Sequence, residues 1–387
     1  MLFGKNKAKK EICMRVIEVI TDTNIGGAGV LLCNRLRYAK EGIETIVFLP
    51  RGSKLTKRLR AEGIKTVPLR KCADRSFDIT AIPELCFKLS VLRPDLVNTH
   101  ASLTARAAVR LSCDAVSVYT RHCTYRLPSV YKLAFARSVM RKITDILSDG
   151  VIAVSPKVKL DLMEMGVRGE QVSVIVNGAE ELRLLSRKEM AELRRALGIP
   201  LHARVVSIFA RLEPCKDHAT FLRAARIIAN TSDEYYFLIV GTGSIDKEMK
   251  DLCQRLGIAE RVVFTGFVED VSPYMSITDI NVNCSVGSET SSLSLSEGMS
   301  LGIPSVVSDF GGNGYMVRDG VNGLVYPQGD HRRLAEAIFR ISEKELYAKC
   351  SEKSLERFEN ELNAKRMAEK TYALYEYLKK EKDKENG

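Results

Sequence analysis

Nowhere in these 387 residues does an apolar run approach the roughly 18 residues that a membrane-spanning helix requires. The chain also lacks a Cys-x-x-Cys pair. Its ten cysteines are scattered singly, with no histidine cluster near them, so neither a zinc site nor a disulfide framework is indicated. They read as small core fillers. Asp-x-Asp is absent as well, and with it the simplest signal for a divalent metal. Aromatic residues make up only 7% and are not interleaved with the basic ones, which weakens a nucleic-acid reading. A basic start over residues 1–10 is followed by an apolar stretch broken by Glu11, Arg15 and Glu18, unlike a secretory signal. A cytoplasmic protein is expected.

What is present is globular: 45% hydrophobic and 28% charged residues, in a chain long enough for two domains. The net charge of +11 is unevenly placed. Residues 1–180 hold 30 Lys and Arg against 17 Asp and Glu, so the first part carries +13 and the remainder −2. An anionic partner for the first part is implied, whether nucleic acid, phosphorylated substrate or anionic membrane surface.

Apolar runs alternate with amphipathic stretches, the pattern of an α/β protein with mainly parallel sheets. Strands are predicted over 14–20, 45–49, 96–99, 117–120 and 150–154. After a charged helix over 186–197 the pattern restarts, with strands over 205–209, 236–240, 262–265, 280–283 and 304–308. Two Rossmann-like doubly wound domains facing across a cleft follow. We place the first at 1–180, the second at 181–370, and a helix end with a charged tail at 371–387, its residues 379–387 expected to fray.

Three segments carry chemistry. Gly26-Gly27-Ala28-Gly29 follows the first strand and opens a helix, which suits either a plain turn or close approach of an anion. Arg211-Leu-Glu-Pro-Cys-Lys216-Asp217 begins where a strand ends, so both cations can face a diphosphate in the cleft, or else pair with Glu213 and Asp217 on the surface. Gly287-Ser-Glu289 leads into a serine-rich segment through Glu297 to Gly-Ile-Pro304. A helix over 290–300 there would present free N–H groups to a phosphate, with one carboxylate before it and one two turns inside it.

Taken together these residues resemble the retaining glycosyltransferases of family 4, with the GT-B fold of glycosyl transferases group 1, and the resemblance covers nearly the whole chain. It extends to Val176-Asn177-Gly178, Val240-Gly241-Thr242-Gly243, Val263-Phe264-Thr265-Gly266 and the segment from Asp319 to Val325. The resemblance implies transfer of a sugar from a nucleotide-diphosphate sugar, UDP favoured over GDP, to a glycan, lipid-linked or other anionic acceptor. Cell-envelope polysaccharide or lipopolysaccharide synthesis is the setting it implies. Arg211 and Lys216 would grip the phosphates, Glu289 the hydroxyls of the transferred sugar, Glu297 the ribose, and the backbone of Ser291, Ser292 and Leu293 the distal phosphate. The base would lie along Phe264, Gly266 and Val268, Gly27 near the diphosphate, and His122 against the donor sugar. His100 is the second candidate histidine.

The sequence departs from the family pattern at Thr290, where Gly is frequent, and at Ser296-Glu297-Gly298, where Glu-Ala is common. No cofactor or metal is expected, so Arg211 and Lys216 would supply the electrophilic help. The leaving phosphate would take the acceptor proton on the same face, while Glu289 as a nucleophile remains the internal alternative. A nucleic-acid-binding protein and a non-catalytic sugar-nucleotide-binding relative are the readings from other classes. For the acceptor or membrane side we single out Lys54, Lys57 and Arg58, and a stretch over 130–147. There Val130, Leu133, Met140, Ile143 and Leu147 would share one helix face, flanked by Lys132, Arg137, Arg141 and Lys142.

Overall fold

The computed structural model describes residues 14–124 and 128–386; the basic start over 1–10 lies outside them. Thirteen strands form two sheets. The first contains β1 (Met14–Ile20), β2 (Ile43–Pro50), β3 (Lys65–Leu69), β4 (Leu96–His100), β5 (Val116–Arg121), β6 (Gly150–Ala153) and β7 (Val172–Val174). Their order is β3-β2-β1-β4-β5-β6-β7, with every pairing parallel. The second contains β8 (Arg204–Phe209), β9 (Tyr235–Val240), β10 (Val262–Gly266), β11 (Ile280–Asn283), β12 (Ser305–Ser308) and β13 (Gly323–Tyr326), in the order β10-β9-β8-β11-β12-β13. The fold is α/β, with two doubly wound units.

The strands are buried on both faces because helices cover each sheet on both sides, and this is why they read as continuous apolar runs. In β1, Val16, Ile17, Val19 and Ile20 are all buried. Glu18 sits among them and is equally buried. Every strand predicted from the sequence is found. The three that were missed, β3, β7 and β13, all lie at sheet edges. β3 carries Pro68 and β7 has only three residues, so neither offers a run to read.

The chain leaves the first unit at Val176-Asn177-Gly178 and returns to it near residue 363. There the two crossings are zipped together: the Ala179 amide donates to Leu362 O (3.0 Å) and the Ala364 amide to Ala179 O (2.8 Å). The last helix, Ala364–Asn386, then lies on the first sheet, where Met367, Ala368, Tyr372 and Tyr375 join a core cluster with Met14, Val16 and Leu96. The helix runs on to Asn386, so the expected fraying is not found over residues 379–386, where Lys382 reaches Ala115 O (3.0 Å) and Asp114 (2.9 Å). The stretch over 130–147 also differs from expectation. A short 3-10 turn, Ser129–Lys132, precedes a helix that starts only at Ala134.

A Cβ on Gly178 would stand 2.2 Å from Asn363 O, in backbone that the paired crossing holds in place. Gly178→Ala is therefore expected to destabilise the protein by about 2 kcal/mol or more. Urea denaturation followed by circular dichroism measures this, and an unchanged midpoint contradicts the account of the crossing.

Candidate active site

In an open α/β sheet, ligands bind outside the carboxyl ends of the strands, where the strand order reverses. Here the reversals fall between β1 and β4 and between β8 and β11. Part of the sequence-predicted set lies at those two places, while His122 follows β5 and Phe264, Gly266 and Val268 lie at the end of β10. Gly27 is the first residue of the helix after β1, and a Cβ there would meet nothing within 4 Å, so that face is open. Arg211, Lys216, Glu289 and Glu297 follow β8 and β11.

Lys216 does not pair with Glu213 or Asp217, as one reading of the sequence allowed. Its Nζ lies 2.7 Å from Glu289 Oε2 and also reaches Ser285 Oγ and Ser288 O, both at 3.3 Å. Glu213 instead accepts from Ser244, and Asp217, at φ +47°, caps the following helix through Thr220. Arg211 is exposed and forms no ion pair with another described residue.

Glu289 is buried. Its Oε2 takes three donors: Lys216, Asn283 Nδ2 (2.9 Å) and Ser285 Oγ (2.9 Å). Oε1 meets only the amide of Thr290, at 3.3 Å. Burial by itself would raise this carboxyl, but Lys216, Asn283 and Ser285 outweigh it and hold the group below the usual carboxylate range. One oxygen is thus committed to the protein and the other has lone pairs to spare. The loop is held from beneath by Gly311 and Gly312, where a Cβ would stand 2.2 Å from Glu289 O and 1.6 Å from Thr290 O. Asn283, Ser285 and this glycine pair were not picked out from the sequence. A polar residue closing an apolar strand, as in Ile-Asn-Val-Asn283, was the available signal.

The helix expected over 290–300 begins at Leu293, with Ser292 as N-cap and no side-chain cap, so its first amides are unclaimed by a side chain. Glu297 lies in its second turn. Burial, and then the nearby Asp270, push its carboxyl up to about 7. β10 ends at Gly266, at φ +73°, and the Gly241 amide donates to Gly266 O (2.9 Å). Phe264 and Val268 are half-buried, while Phe267 between them is 76% exposed.

On the other side of the cleft His122 follows β5. Its backbone carbonyl accepts from Thr290 Oγ1 (3.0 Å), a direct bond between the two units next to Glu289. Its ring is held far below the ordinary histidine value, first by burial and then by His100 and Arg35. His100 Nδ1 lies 2.7 Å from His122 Nε2, and His100 Nε2 lies 3.0 Å from Glu18 Oε2. Glu18 also pairs with Arg35 (2.5 Å) and accepts from Tyr375 (3.0 Å) and Asn98 (2.9 Å). Burial would raise its carboxyl, but Arg35 and His100 bring it down to about 2. The sequence offered one clear sign of this cluster, a glutamate inside the apolar strand Met-Arg-Val-Ile-Glu-Val-Ile.

The acceptor-side residues are spread more widely. Lys54 precedes the helix Leu55–Ala61, which carries Lys57 and Arg58. Arg137, Arg141 and Lys142 lie on the helix Ala134–Leu147 and are exposed. The apolar stripe expected there divides. Met140, Ile143 and Leu147 are half-buried, whereas Phe135 (80% exposed), Val139 and Ile146 (65%) form an outward row together with Lys142.

A raised Glu297 means that the folded protein favours its protonated form. That stability is present below pH 4.5 and is lost as pH rises through 7. Glu297→Gln is expected to leave the melting temperature unchanged near pH 5 and to raise it by a few degrees near pH 8. Thermal denaturation at the two pH values checks the sign; equal shifts at both refute it.

Residues 25–181 match the Glycosyltransferase Family 4 domain, and residues 189–357 match Glycosyl transferases group 1. A curated Escherichia coli relative, UDP-Gal:alpha-D-GlcNAc-diphosphoundecaprenol alpha-1,3-galactosyltransferase, is 25% identical over 341 residues, covering 80% of this chain and 86% of its own. An uncharacterized glycosyltransferase of Methanocaldococcus jannaschii is 28% identical over 287 residues, covering 68% and 73%. Among solved structures, the Anabaena HepE protein in complex with UDP superposes with a TM-score of 0.80 at 21% identity, over 94% of this chain and all of that one. A Rickettsia africae glycosyltransferase gives 0.79 at 20% identity, covering 94% and 98%. With both units matched in order, the chain belongs to the family 4, group 1 glycosyltransferases of the GT-B fold.

Proposed function

We propose that the protein transfers a sugar from a UDP-sugar, with retention and without a metal ion, to a lipid-linked or other anionic glycan acceptor of the cell envelope. The observation that carries this reading is the Lys216–Glu289 pair at the reversal between β8 and β11. It presets a cation for the donor's phosphates and a carboxylate oxygen, Oε1, for the hydroxyls of its sugar. The E. coli relative named above acts on UDP-Gal and a diphosphoundecaprenol-linked sugar, and HepE has been crystallised with UDP-glucose, which favours uridine.

In this scheme the bond from the anomeric carbon to the diphosphate breaks, and its electron pair stays on the phosphate oxygen. Arg211 and Lys216 neutralise that charge, helped by the amides of Ser291, Ser292 and Leu293. The acceptor hydroxyl attacks the oxocarbenium-like carbon from the same face and gives its proton to the departing phosphate. Glu289 holds sugar hydroxyls and does not attack, because a carboxylate with three donors on one oxygen and a depressed basicity is a weak nucleophile. Glu297 accepts from the ribose, Gly266 and its neighbours read the base edge, and Phe267 offers a ring for stacking. Gly27 leaves room for the diphosphate, and His122 meets the sugar.

The acceptor is assigned to the basic first unit. The outward row Phe135, Val139 and Ile146 includes Lys142 and is preceded by Leu133, Lys132 and Val130, as in a helix that lies in a membrane surface, while Arg137 and Arg141 project from the other side of the helix, where Arg141 donates to Gly166 O. Each cation near an anionic leaflet contributes about 1 kcal/mol. Among the described residues no helix is long and apolar enough to cross a membrane.

Two results are expected. In assays of UDP-sugars, Arg211→Ala should lower kcat about a hundredfold, the equivalent of about 3 kcal/mol at the transition state. Lys216→Ala should lower it further, since it also strips Glu289 of its buried partner; near-normal turnover in either variant defeats the assignment. In sedimentation with vesicles, the protein should bind anionic but not neutral lipid at low salt. Replacing Phe135, Val139 and Ile146 by Ser should abolish that binding, and replacing Arg137, Arg141 and Lys142 by Ser should reduce it. Binding that survives both changes removes this helix as the membrane contact.

A further inference from the structure

Under the cleft, three neighbouring strands carry a chain of polar groups that phosphate and hydroxyl binding do not require. Glu18 stands on β1, His100 ends β4 and His122 follows β5. The two imidazoles are 16° from coplanar with centroids 5.0 Å apart. With a 2.7 Å N···N contact between them, that separation places the rings edge to edge in one plane and not face to face. The hydrogen bond between them therefore lies along the direction in which an N–H and a ring lone pair meet best.

The direction of donation can be followed from the carboxylate. Glu18 is surrounded by donors, Arg35, Tyr375 and Asn98, so toward His100 it only accepts. When His100 is neutral, as in alkaline solution, its hydrogen sits on Nε2 and its Nδ1 is a lone pair. That lone pair accepts from Nε2–H of His122, so the remaining nitrogen of His122, Nδ1, carries no hydrogen. This atom is buried and meets no partner among the described residues. Thr290 anchors the backbone of the same residue beside Glu289.

We propose that Glu18, acting through His100, holds His122 in the tautomer whose Nδ1 is a bare lone pair, and that this lone pair faces the transferred sugar. The inference rests on the sugar-transfer reading above. A lone pair beside a carbon that becomes oxocarbenium-like lowers the energy of the transition state, whereas an N–H dipole aimed at it raises that energy. The same lone pair accepts from a sugar hydroxyl. Glu18 and His100 touch no substrate in this scheme; both are positioning residues.

The tautomer is read directly by long-range proton–nitrogen NMR of imidazole-15N-labelled protein in alkaline solution. His122 is expected to show a protonated Nε2 and a bare Nδ1, and UDP-glucose is expected to move the Nδ1 signal. A protonated Nδ1, or an Nδ1 that ignores UDP-glucose, overturns the proposal. Glu18→Gln places an amide donor opposite His100 and should invert both tautomers, lowering kcat roughly 10- to 100-fold with little change in KM for the nucleotide sugar. Because that change leaves Arg35 without its counter-charge, a second pair of variants stands beside it. His100→Gln can donate to Glu18 and accept from His122 through one amide, and should keep the tautomer and most of kcat, while His100→Ala should lose both. Full turnover in His100→Ala, or no difference between it and His100→Gln, overturns the proposal. Absence of transferase activity in the parent protein would count against the sugar-transfer reading, and the parent's NMR spectrum would still decide the tautomer.

Discussion

A carboxylate removed from water must be surrounded by donors, and the first unit is assembled around one such group. Glu18 lies in the middle of an inner strand of a parallel sheet, where it is buried from solvent. Its partners come from the helix after β1, from the neighbouring β4 and from the last helix of the chain, through Arg35, Asn98, His100 and Tyr375. Removing any one of them leaves a charge or a dipole stranded. The arrangement thus demands that residues 340 and 357 positions apart in sequence come together.

That demand explains what could and could not be read in advance. Periodicity revealed the strands of both units wherever the strand was long and central, because burial on two faces forces an unbroken apolar run. It failed at β3, β7 and β13, three of the four edge strands, while the fourth, β10, offers the readable run Val-Val-Phe. The cleft was legible wherever chemistry is written in consecutive residues, as from Arg211 to Lys216 and from Glu289 to Glu297. The groups that hold those residues in place were not, because Asn283, Ser285, Gly311 and Gly312 meet Glu289 only after folding.

The helix Ala134–Leu147 illustrates a second limit. Its period of 3.6 was visible, but a helix with apolar residues on more than one side does not announce which side faces the sheet. Packing places Met140 against the core and leaves Phe135 and Ile146 outside. The final helix shows the converse. Its lysine-rich end suggested a solvated tail, yet the long lysine side chains span the surface to reach carbonyls and carboxylates of the first unit while their aliphatic stems lie along it.

The paired crossing at Ala179 and Asn363 has a mechanical meaning. Two connections set well apart would act as two hinge pins and define a fixed axis. Here they run side by side and are bonded to each other, so they bend as a single strap. Such a strap resists shear of one unit along the other and yields to opening and twisting about its own narrow width. Motion of the cleft is thereby concentrated at one edge, close to Asn177, whose amide reaches Ser291 O. The same few residues that allow the units to part also touch the start of the helix where the distal phosphate would rest. Opening the molecule and loosening its hold on a bound nucleotide become a single displacement.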